Sequence, residues 1–441
     1  MILGIKLFIA LLFLWGVYRF IDKASFFKNS PFSTSSLKVA FSLKVIAGIL
    51  LFLIYTFYYT DRQTADVFKY YDDGEILGNA ATKHPLDFIK IMLGVEDQYL
   101  KDQYLNKMDY WFRPYDHGLR NDNRIVIRIN AVLHILSFGN YFLHALIFIF
   151  LSFLGLFFMA KLFYDISESK IKAYVAAFLI PSVFFWSSGV LKEALLIFAL
   201  GIFCWAVYKL AKAFSWSALC LLLVGFCLLS SLKIYVLFAL LPALLFWFLW
   251  MKFQLFWKSV LTFFIAGVVL YFGVTLLHPN VDFISLLVGK QHDFINLAKT
   301  YHAGSAIQMD YLENNSWSVL KAIPLALFHV FTLPWFSHVK SPLYLFSIFE
   351  NLIFFSLIPL SIFHFEKPNK SSIKFIVFSL IFILTLFTII GLTTPVIGAL
   401  VRYKMPALPF LFFVLLSFIK LKSISVKLNN HTFIKWINTH L

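Results

Sequence analysis

Asp66, Tyr70 and Asp73 stand at i, i+4 and i+7 in the segment TDRQTADVFKYYDDGEIL, residues 60–77. On a helix these three share one face. A carboxylate placed there can accept the proton of an attacking hydroxyl. Asp66 is the favoured base, Asp61 and Asp73 are the alternatives, and the competing reading is a solvated acidic loop. Twelve of the 22 acidic residues fall within residues 61–122. A chain of long apolar stretches has little reason to gather carboxylates in one segment unless that segment binds or reacts. The same region carries Arg113, Arg120, Arg124 and Arg128, the last three spaced by four residues. Guanidinium forks suit phosphate oxygens, so this basic face fits a phosphate or diphosphate. The competing reading pairs it with Asp116 and Asp122, or with lipid headgroups.

Further charges stand at the edges of apolar runs: Lys192 and Glu193 in PSVFFWSSGVLKE, Lys233 beside Tyr235 in SSLKIY, and Arg402, Tyr403 and Lys404 in GALVRYKMPALPF. Such residues are functional candidates by default, with snorkelling to the headgroups as the competing explanation. Arg402 and Lys404 are expected just ahead of the last span. Glu350 lies inside an apolar run, where an unpaired charge is expensive; it reads as a structural partner for a buried basic group, with a catalytic role as the alternative. The twelve histidines show no paired metal-ligand spacing, and neither a Gly-rich phosphate loop nor a Ser–His–Asp arrangement is legible. A nucleotide-driven pump is disfavoured on those grounds. No metal site is assigned and no motif demands a cofactor, although a divalent metal is compatible with so acidic a segment.

These residues must be positioned by membrane helices. Of 441 residues, 61% are apolar, 55 are Phe and 14% are charged, against about 25% charged in ordinary soluble domains. The net charge of +16 sits in short loops and the C-terminal tail, as the excess of Lys and Arg in cytoplasmic loops requires, so nucleic acid is not an expected partner. Cys204, Cys220 and Cys227 all lie in apolar segments, which disfavours a disulfide framework or a thiolate metal site. A span needs about 20 apolar residues. Candidate spans read 2–18 (an uncleaved first span rather than a signal peptide), 40–59, 129–160, 173–186, 190–208, 217–230, 234–250, 259–277, 343–363, 375–392 and 405–419. The segment 319–335 carries Pro324 and Pro334 and reads as broken or re-entrant. The expectation is an all-α polytopic integral membrane protein with about 11–12 transmembrane helices. Its N-terminus is expected outside and its C-terminus in the cytoplasm. Residues 1–39 add an extra helix and a cytoplasmic loop. Residues 40–420 form the main membrane domain, with outer loops at 60–128 (long and helical) and 278–316. Residues 421–441 form a basic cytoplasmic tail.

Together these pieces resemble the GT-C superfamily of integral-membrane glycosyltransferases. Asp66 and Tyr70 in ADVFKYYDD match that family's acid followed by a Tyr in the first outer loop. PSVFFWSSGVLKEALLIF is similar to its turn between middle spans, and VRYKMPALP to its Arg-Tyr-x-x-Pro-x-x-Pro opening of a late helix. The extra first span and the missing adjacent acidic pair at Asp66-Val67 depart from the commonest pattern. The resemblance implies a GT-C-like fold in the cytoplasmic membrane and an active face on the extracytoplasmic side. It further implies a polyprenyl-phosphate-linked sugar donor and a glycan, lipid or protein acceptor, with membrane lipids around the site. Asp66 would be the base, and Tyr70, the four arginines, Lys192, Glu193, Lys233, Tyr235, Arg402 and Tyr403 would hold the donor. Two other readings stay open: a polymerase of lipid-linked O-antigen or capsule oligosaccharides, and a non-catalytic flippase or transporter of polyprenyl-linked glycans.

Overall fold

The computed structural model describes residues 2–63, 65–112, 121–277, 282–338 and 343–421. Arg113, Asp116, Arg120 and the basic tail from residue 422 lie outside the described residues. The described residues are mainly helical, and the β pairing among them is confined to isolated bridges between Ala306 and Val396 and between Phe365 and Ile419. Among the described residues, eight helices are long and apolar enough to cross a membrane: Leu3–Lys23, Thr34–Tyr58, Tyr141–Ser167, Lys192–Lys212, Ile234–Phe253, Leu343–Phe363, Lys370–Thr393 and Ile397–Ser417. Three shorter apolar helices, Trp216–Leu232, Phe256–Gly267 and Ser316–Thr332, accompany them. The chain is therefore a polytopic α-helical membrane protein.

Two of the expected spans are divided. The run 129–160 breaks at Phe138 and Gly139, whose φ angles of 50° and 65° are left-handed. Helix Asn123–Ser137 ends there and Tyr141–Ser167 starts anew; Gly139 takes that conformation without a Cβ penalty. The run 173–186 becomes Lys170–Phe178 and Pro181–Trp186, because proline disfavours helical backbone at the residue before it. Neither piece reaches the roughly 20 residues of a crossing. By contrast, Pro324 stays inside the helix Ser316–Thr332, which ends just ahead of Pro334. The last span begins earlier than expected, at Ile397, and passes through a 3-10 turn at Met405–Ala407. Arg402, Tyr403 and Lys404 thus lie within the helical run rather than ahead of it.

The described chain divides into two compact units, one formed by residues up to Tyr164 with Phe184–Ile234, the other by Asp165–Val183 and the chain from Tyr235 onward. In the first, helix Asp66–Lys83 packs along Asn123–Ser137. The close crossing depends on Gly74 and Gly78. A Cβ on Gly74 would lie 2.6 Å from Asn130 Cβ, and one on Gly78 would lie 2.8 Å from His134 Cβ. Asp66, Tyr70, Gly74 and Gly78 recur every four residues, and the two glycines mark where this helix packs. Beneath it lies a core that includes Leu77, Trp111, Ile127, Phe148, Val190 and Leu232. The same unit buries Lys44, which donates to Ser187 O (3.3 Å), Ser187 Oγ (2.8 Å) and Ser188 Oγ (3.1 Å), fastening the span Thr34–Tyr58 to that turn.

In the second unit, Lys172 pairs with Glu366 at 2.6 Å. Asn369 caps Lys370–Thr393 by accepting from Ser372 N at 2.7 Å, as a helix start requires. Glu350 meets Ser182, and Lys404 meets Leu333 and Asn351.

Candidate functional site

The first unit brings four elements to one point. Asp66 opens the helix Asp66–Lys83, and its carboxylate contacts Lys69 one turn on. Tyr70, one residue further, is buried; its hydroxyl donates to Asn123 Oδ1 at 3.3 Å. Two ammonium groups stand over the Tyr70 ring, Lys69 Nζ at 5.1 Å and Lys192 Nζ at 5.4 Å from its centroid, within the range of cation–π attraction. Lys192 Nζ contacts Asp122 Oδ1 at 2.8 Å, and Lys233 Nζ approaches Asp122 Oδ2 at 3.7 Å.

Local sequence explains how these groups are held. Lys192 stands in the first turn of Lys192–Lys212, where the helix dipole disfavours a cation, and the Asp122 carboxylate offsets that cost. Lys233 is the C-cap of Trp216–Leu232, where the dipole favours it. Asp122 precedes Asn123–Ser137 but makes no side-chain cap; its carboxylate is turned to the lysines. The result is a largely buried cluster of cations around one phenol ring, suited chemically to an anionic group.

Asp73 takes a different role from Asp66. It is 2% exposed and accepts the backbone N–H groups of Asp109 (3.0 Å) and Tyr110 (2.9 Å). Tyr110 in turn donates its hydroxyl to Gln63 O, and Lys69 Nζ lies 4.6 Å from the Tyr110 ring centroid. Asp73 therefore fixes the strap that closes over the Asp66 turn. Burial pushes its carboxyl up to about 6, against the opposing pull of those two N–H groups. Burial first, and then the carboxylates of Asp66 and Asp109, push the Tyr110 hydroxyl up to about 12. A native value for Asp73 above the ordinary carboxylate range near 3.9 means that the folded state binds this proton more tightly than the unfolded state. Its contribution to stability is therefore greatest below about pH 4, falls as pH rises to about 6, and is flat beyond. Asp73→Asn should abolish that slope. It should also cost about 1–3 kcal/mol, because one buried backbone N–H then faces an amide NH₂. Unfolding midpoints of parent and variant across that window measure both effects; a slope that survives in the variant belongs to another group.

The remaining sequence candidates are placed as follows. Asp61 accepts Gln63 N at 3.1 Å in an exposed local turn. Arg124 donates to Glu96 at 2.6 Å and to Trp111 O at 3.1 Å. Arg128 donates to Ile91 O at 3.1 and 3.3 Å. Both guanidinium groups lie over the Trp111 ring, at 5.3 and 4.9 Å. Glu193 is buried next to Lys192 in sequence. Tyr235 and Tyr403 face each other at 6.0 Å in the second unit, where Arg402 is half-buried. Lys404 is a correction to the sequence reading: it is 2% exposed and turned onto Leu333 O and Asn351 Oδ1, because the helix that carries it starts earlier than expected.

Sequence reading missed Lys69, Asn123 and Tyr110 as neighbours of the candidate base. Only Lys69 had a local signal, its i+3 spacing from Asp66. It also missed a buried chain in which His144 bridges Ser137 Oγ (2.8 Å) and Asn130 Oδ1 (2.9 Å). Asn130 Nδ2 donates to Val126 O at 2.9 Å, so its oxygen accepts from His144 Nδ1–H and the Ser137 hydroxyl donates to Nε2. Ser137, His144 and Asn130 are all buried; they lock the reversal at residues 138–140 rather than present a nucleophile. Among the described residues, no three His, Cys, Asp or Glu side chains converge as a metal site would require. No protein-family model, no curated protein and no solved structure matches the chain.

Proposed function

We propose that this protein transfers a sugar from a polyprenyl-phosphate-linked donor to a glycan, lipid or protein acceptor at the extracytoplasmic face of a cytoplasmic membrane, through a GT-C-like membrane domain. The observation that carries the reading is the convergence of a carboxylate, Asp66, with a phenol, Tyr70, and the paired cations Lys192 and Lys233. In the proposed reaction the acceptor hydroxyl oxygen attacks the anomeric carbon of the sugar. The bond from that carbon to the carrier phosphate breaks, and the phosphate leaves with the electron pair. Asp66 takes the hydroxyl proton, and Lys192 with Lys233 offsets the charge gathering on the leaving phosphate. Asp73 is 2% exposed and holds two backbone N–H groups, whereas the Asp66 side chain is 24% exposed, which favours Asp66 as the base. Arg124 and Arg128 are engaged by Glu96 and by backbone carbonyls, and the lysines by Asp122; the lysines are assigned the phosphate because Lys192 stands over the Tyr70 ring, one turn from Asp66.

Binding of a polyprenyl monophosphate to the purified protein tests this division. Lys192→Met should weaken binding about tenfold or more, because a charge-assisted contact contributes about 1.5–3 kcal/mol. Arg124→Ala should weaken it less. Loss of binding in Arg124→Ala with full binding in Lys192→Met would move the phosphate to the arginine face.

A polymerase of lipid-linked oligosaccharides would use the same groups and differ in its acceptor. A non-catalytic transporter of polyprenyl-linked glycans is the reading favoured by Lys44, Glu350 and Lys404, three charges buried within long apolar helices, since charges at that depth mark substrate or ion pathways. Each of the three is met by local polar groups, which keeps sugar transfer as the leading proposal.

A further inference from the structure

The second unit contains a polar node that the proposed chemistry does not use. Glu350, inside Leu343–Phe363, is 1% exposed. Its Oε2 accepts the backbone N–H of Ser182 at 2.9 Å and the Ser182 hydroxyl. Its Oε1 has no hydrogen-bond partner among the described residues. Lys404 Nζ donates to Leu333 O at 3.1 Å and to Asn351 Oδ1 at 3.2 Å, two of the three N–H donors an ammonium carries. Asn351 Nδ2 is shared between Thr332 O and Pro334 O, each at 3.0 Å. One acceptor and one donor are thus left over, on opposite charges. Both residues line a single cavity of about 10 Å³, whose other walls are Asn351 and apolar side chains including Val330, Phe331 and Phe387.

We propose that this cavity is a binding site for one ordered water, which accepts from Lys404 Nζ and donates to Glu350 Oε1. The size fits, since a cavity of about 10–15 Å³ holds one water that has polar partners. The chemistry excludes the other small occupants. A metal cation would meet the Lys404 ammonium, an anion would meet the Glu350 carboxylate, and an apolar group would leave Oε1 unsatisfied at a cost. The water completes a node that joins four segments: Pro181–Trp186, the end of Ser316–Thr332, Leu343–Phe363 and Ile397–Lys404. It links two side chains that make their direct contacts elsewhere. This inference is independent of sugar transfer.

An experimental structure of the full-length protein in a lipid nanodisc, at a resolution that shows ordered water, decides it. The expected result is one density peak within hydrogen-bond distance of both Glu350 Oε1 and Lys404 Nζ. An empty cavity, or Lys404 moved directly onto Glu350 with the cavity closed, would overturn the proposal. Val330→Ile gives a second reading, because it adds a methyl group to the cavity wall. If a bridging water is there, the substitution displaces it and lowers the unfolding midpoint. A raised midpoint, the response of a dry gap being filled, would overturn the proposal as well.

Discussion

Asp66→Asn should lower the rate of sugar transfer by about 10²–10⁴-fold, the usual loss when a general base is removed. The substitution keeps the size and shape of the side chain and deletes its charge. Asp66 lies in the first turn of Asp66–Lys83 with its carboxylate on Lys69, and the packing of that helix rests on Gly74 and Gly78 instead. The variant should therefore fold, insert and bind a polyprenyl monophosphate as the parent does, and the loss should appear in turnover alone. Single-turnover transfer with donor pre-bound separates the two. A parental rate in Asp66→Asn would remove this residue from the chemistry. If Asp61→Asn were inactive instead, the reaction class would stand with a different base.

Lys404→Met should destabilise the protein by about 3–5 kcal/mol, the cost of leaving a buried charge without its partner. Glu350 is 1% exposed, and Lys404 lines the same cavity, so removing the lysine leaves the glutamate without the nearby opposite charge. Removing both charges should cost far less: Glu350→Gln/Lys404→Met should recover most of the stability lost in Lys404→Met. Unfolding midpoints of the parent, the two single variants and the double variant form a cycle that reads the coupling directly. Losses that simply add would mean that the two residues act independently.

The membrane class was legible because apolar runs of about 20 residues have few other uses. The helical character of the outer segment was expected, and the shared face of Asp66 and Tyr70 was legible in their spacing. What escaped was set by contacts between distant segments. Nothing around Lys192 announces that its partner is Asp122 rather than the nearer Glu193. Nothing around Arg124 announces that Glu96 and Trp111 O will hold its guanidinium. The break after Ser137 did carry a signal in Phe138-Gly139-Asn140, but the apolar residues on both sides concealed it within one continuous run. The early start of the last span escaped for a related reason. Arg402 and Lys404 look like a solvent-facing edge until Asn351, on another helix, supplies Lys404 with a buried polar partner.

Proteoliposomes that contain the purified protein and a radiolabelled polyprenyl-phosphate sugar on the face that bears Asp66, offered glycan and lipid acceptors, test sugar transfer most directly. The expected result is label moving covalently onto an acceptor with stoichiometric release of the polyprenyl phosphate, and loss of that transfer in Asp66→Asn and Lys192→Met. Donor that crosses the bilayer with its sugar still attached, with no carrier phosphate released, would contradict a transferase and leave a transporter in its place.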